Sequence, residues 1–339
     1  MPKKSQQINI HGPNLLSLDS IDYPLLGSND LIIEIKCCGI CGTDLGYLLS
    51  GGLMGPQDKP MPLGHEMSGS VIEIGSSIKN IYINDRVAIN PVENNNHIGN
   101  GGQEGGMTNF LLVKNATLNK NIFKLPDDMS FEVGALIEPF AVALRAIHRS
   151  KLNQDSKVSV LGLGCIGFSV VTLLSYLGYK NTVAIDLSEL RVSNTNNLDS
   201  VHAFNDWSLF VNALKEFHGA DEVFGMTVSD TDAFIDCTGN HTILSKIVDI
   251  SKTHARIIIA GLHKEEALVN FRSVLMRELE ITTSMAYSRE EFQQSLEILS
   301  NNVIDQDKFI SHKCSIQDYK KAFDLAKNGN IATKVMLEI

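Results

Sequence analysis

The fold is decided by a glycine-rich turn in the middle of the chain, Val160-Leu161-Gly162-Leu163-Gly164-Cys165-Ile166-Gly167. A short apolar strand beginning at Lys157 precedes this turn, and an apolar helical stretch follows it. Glycines at these three places allow a tight turn, close approach of the backbone to a pyrophosphate, and close packing of strand against helix. The free N–H groups at the start of the helix then bind phosphate. We therefore predict a dinucleotide site rather than a purely structural turn, formed by Gly162, Gly164, Cys165, Ile166 and Gly167.

Asp186 discriminates between the two nicotinamide dinucleotides. It ends the next strand, at about the expected distance of roughly 20 residues from the turn. A carboxylate there accepts hydrogen bonds from the adenosine ribose and repels the additional phosphate of NADP. Leu187 follows instead of an arginine, so we predict NAD(H) as the cofactor. Arg191, one helical turn further on, is either a second cofactor contact or a solvated helix residue.

The patterns on either side of the turn predict an α/β protein with two domains. Further apolar strands begin at Ala233 and Arg256 and alternate with helical patterns, which is typical of βαβ units in a doubly wound parallel sheet. We expect this cofactor domain to cover residues 144–302. Alternating β-branched runs beginning at Leu31, Ser70 and Asp85 predict a β-rich, partly barrel-like module. We expect that module to combine residues 1–143 with residues 303–339.

Composition excludes several classes of partner. The net charge is −10 and the basic residues form no cluster, so we expect no nucleic acid partner. The chain has neither an apolar run that could cross a bilayer nor a signal peptide, so we expect a cytoplasmic protein with no membrane partner. The cysteines, three bunched and three scattered, favour reduced thiols with one metal ligand over a disulfide framework.

Two short motifs carry metal-binding side chains. Cys41 lies in Cys37-Cys-Gly-Ile-Cys-Gly-Thr-Asp44, and His65 and Glu66 lie in Pro62-Leu-Gly-His-Glu66. A thiolate, an imidazole and a carboxylate together form a zinc set. A lone cysteine or histidine is more often a core residue, but beside a nicotinamide fold the combination is specific.

These motifs, together with Asp236-Cys-Thr-Gly and the terminal Ala332-Thr-Lys-Val, resemble the zinc-containing medium-chain dehydrogenases over nearly the whole chain. The sequence is most similar to the sorbitol, butanediol and threonine dehydrogenase branch. The resemblance implies a GroES-like β-rich catalytic domain and a Rossmann cofactor domain. It also implies an oxidoreductase that uses zinc and NAD(H) to oxidise a secondary alcohol reversibly to its ketone. The substrate, a polyol, a vicinal diol, a cyclitol or another small alcohol, is left open.

The resemblance also implies roles for individual residues. Cys41 and His65 match zinc ligands, and Glu66 matches a carboxylate that ligates zinc or lies beside it. Glu138 matches the next ligand position. We expect Pro139 to break the helix there and turn Glu138 toward the metal, rather than leave it as an exposed helix-end carboxylate. Two carboxylates would weaken the Lewis acidity of the zinc, so we expect Glu66 or Glu138, not both, on the metal at one time.

Two residues after Cys41 match catalytic positions in the same motif. Asp44 matches a carboxylate that orients the histidine ligand, the alternative being a turn-forming aspartate. Thr43 matches the hydroxyl that binds the substrate alcohol and first accepts its proton, the alternative being an ordinary turn threonine.

The sequence departs from the family in two places. The segment 91–106, where relatives carry four closely spaced cysteines, has none, so we predict one catalytic zinc and no structural zinc. Gly46 stands where many relatives have a histidine that carries the proton out.

Assembly and two competing functions complete the expectations. The run from Leu279 to Ala286 reads as an exposed edge strand, so we expect a homodimer or homotetramer. One alternative function is a zinc-free quinone or enoyl reductase of the same superfamily, although such proteins lack the set of Cys41, His65 and Glu138. The other is a non-catalytic dinucleotide-binding protein.

Overall fold

The computed structural model describes residues 4–339, which form two compact units. The first unit contains the chain up to Glu138, Phe292–Asn328 and Lys334–Ile339. The second contains Pro139–Glu291 and Gly329–Thr333. The chain therefore changes unit at Pro139 and Phe292, whereas the sequence places these boundaries at residues 144 and 303.

The first unit is rich in strands, as the alternating patterns predict. Its strands are β1 (Lys4–Gly12), β2 (Leu15–Asp22), β3 (Leu31–Ile40), β4 (Met61–Pro62), β5 (Glu66–Ile74), β6 (Arg86–Ile89), β7 (Phe110–Val113), β8 (Ile122–Lys124), β17 (Ile310–Ser315) and β18 (Lys334–Glu338). Its helices are α1 (Gly42–Ser50), α2 (Phe131–Ala135), α10 (Gln306–Phe309) and α11 (Tyr319–Lys327), with 3-10 turns at Glu93–Asn95 and Ile316–Asp318.

Two sheets organise these strands. One has the order β2-β1-β4, and the larger one has the order β17-β18-β3-β5-β6-β8, with β7 also paired to β3. The strand β3 lies at the centre of the larger sheet because its side chains are buried along almost its whole length. Both metal motifs lie at ends of central strands: Cys41 follows β3, and Glu66 begins β5.

The second unit alternates strands with helices. Its strands are β9 (Lys157–Leu161), β10 (Asn181–Ile185), β11 (Val201–Phe204), β12 (Ala220–Val223), β13 (Met226–Ser229), β14 (Ala233–Asp236), β15 (Arg256–Ile259) and β16 (Glu280–Thr283). Its helices are α4 (Cys165–Tyr176), α5 (Glu189–Thr195), α6 (Trp207–Ala213), α7 (Ile243–Ile250) and α8 (Phe271–Met276), with a π-helical turn at Leu214–His218. Two helices, α3 (Ile137–Ser150) and α9 (Arg289–Leu299), span the points where the chain changes unit.

A parallel sheet forms the core of the second unit. Its order is β11-β10-β9-β14-β15-β16, and each neighbouring pair runs parallel. Phe210, Phe234, Ile247 and Ile257 are fully buried beside it. The order reverses direction between β9 and β14, and in doubly wound sheets ligands bind at the carboxyl ends of the strands at such a point.

Two local features of the helices differ from what the sequence suggests. Pro139 does not break the helix: it is the third residue of α3, where the missing N–H is not needed. The C-terminal helix α11 ends at Lys327 with Asn328 as its cap, although Gly329 is the residue more typical of a helix stop. Within residues 4–339, none of the helices is long and apolar enough to cross a membrane.

Candidate metal and cofactor sites

Cys41 is the residue on which helix α1 begins. The side chain of Asp44, in the first turn, accepts a hydrogen bond from the backbone N–H of Cys41 at 2.8 Å. This contact satisfies one of the N–H groups that a helix leaves unpaired at its start. Asp44 is fully buried, so the hydrogen bond fixes Cys41 at the end of β3.

The pairing of β3 with β5 brings the second motif to the first. Gly39 lies opposite Glu66 in this antiparallel register. A Cβ atom on Gly39 would clash with the carboxylate of Glu66, so a larger residue two positions before Cys41 would displace that carboxylate. The Sγ of Cys41, a ring nitrogen of His65 and a carboxylate oxygen of Glu66 all lie within 4.8 Å of one another.

Asp44 also faces the histidine. Its Oδ1 lies 3.5 Å from Nδ1 of His65, and both side chains are buried. Burial lowers the pKa of His65, but the charges of Asp44 and Cys41 raise it more, so the net pKa is well above its usual value. With Nδ1 turned to a carboxylate, Nε2 is the ring nitrogen left for a metal.

The donor chemistry of this group fits zinc. A thiolate, an imidazole and a carboxylate are the side chains that bind Zn²⁺ in proteins, and a catalytic zinc keeps one position open. Nδ1 of His65 and Oδ1 of Asp44 are buried with no hydrogen-bond partner within residues 4–339. A cation bound to the imidazole would strengthen the attraction between these two atoms.

Lys334, which neither metal motif of the sequence indicates, lies against the metal-binding group. Its Nζ lies 2.8 and 2.6 Å from the two carboxylate oxygens of Glu66, and both side chains are almost fully buried. Antiparallel pairing of β18 with β3 places it there, where it also donates to the carbonyl of Ile40 at 3.1 Å. The ammonium offsets the charge of Glu66, so this carboxylate can lie beside a zinc without weakening its Lewis acidity. The one sequence feature that could have indicated this contact is the presence of a lysine in β18, whose other residues are mostly apolar.

Among the described residues, Glu138 does not join the group of Cys41, His65 and Glu66 that lies within 4.8 Å. It is the second residue of α3, in helical rather than extended backbone, because Pro139 is compatible with the first turn of a helix. The expected break of the helix at Pro139 is therefore wrong, and the place of Glu138 among the metal ligands stays a prediction. The side chain of Glu138 is buried, so it is not an exposed helix-end carboxylate.

The remaining residues of the cysteine motif have simple surroundings. Burial raises the pKa of Cys38 well above its usual value and that of Cys37 to about 12. Both stay protonated, in agreement with structural roles. Thr43 is partly exposed in the first turn of α1. A Cβ atom on Gly46 would meet nothing in the described chain within 4 Å.

The glycine turn in the second unit has the close contacts that its sequence predicts. Gly162 has φ of 84°, and a Cβ atom on Gly167 would clash with the carbonyl oxygen of Gly162. Gly164 is the N-cap of α4, so Cys165 and Ile166 form its first turn. The first turn of a helix at the carboxyl end of a strand is where phosphates bind in proteins of this architecture.

Asp186 and Arg191 lie together beside this turn. The carboxylate of Asp186 accepts from the N–H of Leu163 at 2.6 Å and from the N–H of Ser188 at 2.8 Å. Arg191 lies 3.5 Å from Asp186 and donates to the carbonyl of Ala332 at 2.8 Å. Arg191 is therefore held in place, and its role as a cofactor contact stays a prediction.

Comparisons with known proteins agree with this architecture. The alcohol dehydrogenase GroES-like domain matches residues 27–127, and the zinc-binding dehydrogenase family matches residues 165–301. (R,R)-butanediol dehydrogenase of Bacillus subtilis is 28% identical over 330 residues, covering 91% of this chain and 92% of the relative. D-xylulose reductase of Saccharomyces cerevisiae is 28% identical, covering 94% and 93%.

Solved structures show the same fold. The structure of 2R,3R-butanediol dehydrogenase from Bacillus subtilis superposes with a TM-score of 0.85 at 24% identity, covering 99% of each chain. This likeness confirms the predicted pairing of a GroES-like domain with a Rossmann domain. With both domain families present and a thiol, an imidazole and a carboxylate brought together, the chain belongs to the zinc-containing medium-chain alcohol and polyol dehydrogenase family.

Proposed function

We propose that the protein oxidises a secondary alcohol reversibly to its ketone, with one zinc ion and NAD(H). The observation that supports this most directly is the approach of Cys41 to the buried His65 and Glu66, all within 4.8 Å of one another. The relatives are named for butanediol, xylulose and sorbitol. We therefore propose a vicinal diol or a polyol as the substrate class.

The site residues of the first unit have separate roles in this proposal. When bound, zinc would polarise the alcohol oxygen and lower its pKa, as it does for water. Cys41 and His65 would hold the ion, with Glu66 or Glu138 as a carboxylate ligand. Asp44 would orient His65. Thr43 would accept a hydrogen bond from the substrate hydroxyl, as the first group of a relay that passes the proton on to water.

The second unit would bind the cofactor. The N–H groups of Gly164, Cys165 and Ile166 would contact the pyrophosphate at the start of α4. Asp186 accepts two backbone hydrogen bonds and one from Arg191. A carboxylate has about four acceptor positions, so it retains capacity for a ribose hydroxyl. Its charge favours NAD over NADP, and Arg191 would contribute by holding Asp186 in place.

Zinc analysis and nicotinamide absorbance test the proposed function together. We expect about one zinc per chain and reduction of NAD with at least one of 2,3-butanediol, xylitol and sorbitol. Chelation should abolish turnover, and added zinc should restore it. Turnover that survives complete removal of zinc would favour the zinc-free reductase, and neither zinc nor turnover would favour a non-catalytic protein.

We also propose that the protein is a homodimer or homotetramer that pairs through β16. Within residues 4–339 this strand is an edge, hydrogen-bonded on one side to β15. The side chains of Leu268, Phe271, Leu275 and Met285 near it are largely exposed, and an exposed apolar edge favours pairing with a second copy. Light scattering should show a multiple of 37.2 kDa, and a monomer at every concentration would contradict this proposal.

A further inference from the structure

The segment 91–106 packs directly against the chain that carries the histidine ligand. Gly99 has φ of 65°, and a Cβ atom there would clash with the carbonyl oxygen of Gly64. Gly106 donates its N–H to the same carbonyl at 2.8 Å. The cysteine-free segment is thus in backbone contact with the residue before His65.

Side-chain amides hold this segment in one conformation. Asn96 is buried, and its Nδ2 donates to the carbonyls of Glu93 at 2.9 Å and Lys114 at 3.0 Å. Its Oδ1 accepts the N–H of Lys114 at 3.0 Å. Two of these three hydrogen bonds anchor the segment to Lys114, directly after β7, and the third closes a turn within the segment.

The tip of the segment reaches helix α1. The phenol of Tyr47 donates to Oδ1 of Asn100 at 3.3 Å, and the contact is partly buried. Tyr47 is four residues after Thr43 and therefore on the same face of α1. Helical side chains lean toward the N-terminus of the helix, which here is Cys41.

The electrostatic surroundings of Tyr47 agree with a side chain that leans toward Cys41. Burial raises the pKa of Tyr47, and the charges of His65, Asp44 and Cys41 act on it as well. The raised pKa keeps the phenol protonated. Its position follows from the contacts: the phenol donates to Asn100, and the preceding Gly99 packs against the carbonyl of Gly64, the residue before His65. Because the phenol proton is used on Asn100, the oxygen presents a lone pair to a second donor.

We infer that Asn100, carried on the segment 91–106, is a positioning residue for substrate selectivity: it fixes the phenol of Tyr47 so that its lone pair meets a second hydroxyl of the substrate. In the cysteine-free segment 91–106, Asn100 would thereby support recognition of a second substrate hydroxyl. This inference rests on the proposed function and adds a residue that would support recognition of its diol or polyol substrate. A substrate without the second hydroxyl leaves the acceptor position of the phenol oxygen without a donor. A site that hydrogen-bonds a substrate hydroxyl discriminates in this way against analogues that lack it.

Asn100→Ala tests the positioning role with 2,3-butanediol and 2-butanol as paired probes. It should raise KM for the diol by about 10-fold, with kcat changed much less, and should leave kcat/KM for 2-butanol unchanged within about 3-fold. Asn100→Asp keeps an acceptor oxygen for the phenol and should retain the wild-type KM. This rescue separates the hydrogen bond from a general effect on the segment.

A double-mutant cycle tests whether Asn100 acts through Tyr47. Tyr47→Phe should produce the same KM increase for the diol, and adding Asn100→Ala to it should change nothing further. Tyr82→Phe is the matched control, since Tyr82 is an exposed tyrosine of the same unit and its variant should leave both probes unaffected.

The outcomes separate this inference from the proposed function. If wild-type protein turns over alcohols while Asn100→Ala changes both probes equally, or changes neither, the inference is overturned and the proposed function stands. Additive effects of Asn100→Ala and Tyr47→Phe would overturn it as well. If wild-type protein with zinc and NAD bound oxidises no alcohol, the proposed function is overturned and this inference with it.

Discussion

Replacing Cys41 with serine is expected to lower kcat/KM for the best alcohol substrate by about 10³-fold, the loss of several kcal/mol of Lewis-acid stabilisation. Serine keeps the shape of the side chain and the backbone N–H that Asp44 accepts at 2.8 Å, so α1 should still begin at this residue. A serine hydroxyl stays protonated at neutral pH and does not replace a soft thiolate as a ligand. Bound zinc, measured on the purified protein, should fall well below one ion per chain.

Cys314→Ser provides the control for this substitution. Cys314 is a buried cysteine of β17 in the same unit, outside the group formed by Cys41, His65 and Glu66. Its variant should keep both zinc and activity. If the Cys41→Ser protein retained one zinc per chain and normal kinetics, Cys41 would not be a zinc ligand.

The parts of the site that could be predicted are those fixed by local sequence. Cys41 follows a strand whose alternating pattern is plain, and His65 precedes another. Few types of side chain bind zinc, so the candidate ligands can be recognised in the sequence motifs. Lys334 could not be placed in the same way, because its position depends on β18 pairing with β3 across almost the whole length of the chain.

In the fold, too, the elements set by local patterns could be predicted, and the contacts set by tertiary packing could not. Alternation at Leu31 and the apolar strand at Lys157 predict β3 and β9 because burial patterns repeat along a strand. Pro139 misled the prediction, since a proline is equally compatible with the start of a helix. The composition of segment 91–106 predicts a loop, but not that its glycines let it return to Gly64, because that contact is set by tertiary packing.

Replacing Lys334 with methionine is expected to lower the free energy of unfolding of the zinc-free protein by about 3–5 kcal/mol. Methionine fills a similar volume, but it leaves the carboxylate of Glu66 buried without its cation, and breaking a buried ion pair on one side has a cost of this size. Zinc supplies a positive charge beside the same carboxylate, so we expect a smaller loss in the zinc-loaded protein. By linkage, that difference means that the folded variant binds zinc more tightly than the folded wild type. Chemical denaturation with and without zinc measures both quantities.

Two further variants separate the charge effect from a packing effect. Lys327→Met removes an exposed lysine paired with Asp324 on α11 and should leave the free energy of unfolding unchanged within error, since exposed pairs contribute little. Adding Glu66→Gln to Lys334→Met removes the uncompensated charge and should recover most of the lost stability in the zinc-free protein. If Lys334→Met were as mild as Lys327→Met, the ion pair with Glu66 would contribute nothing. If the double variant recovered no stability, the loss would come from the packing of Lys334 rather than from its charge.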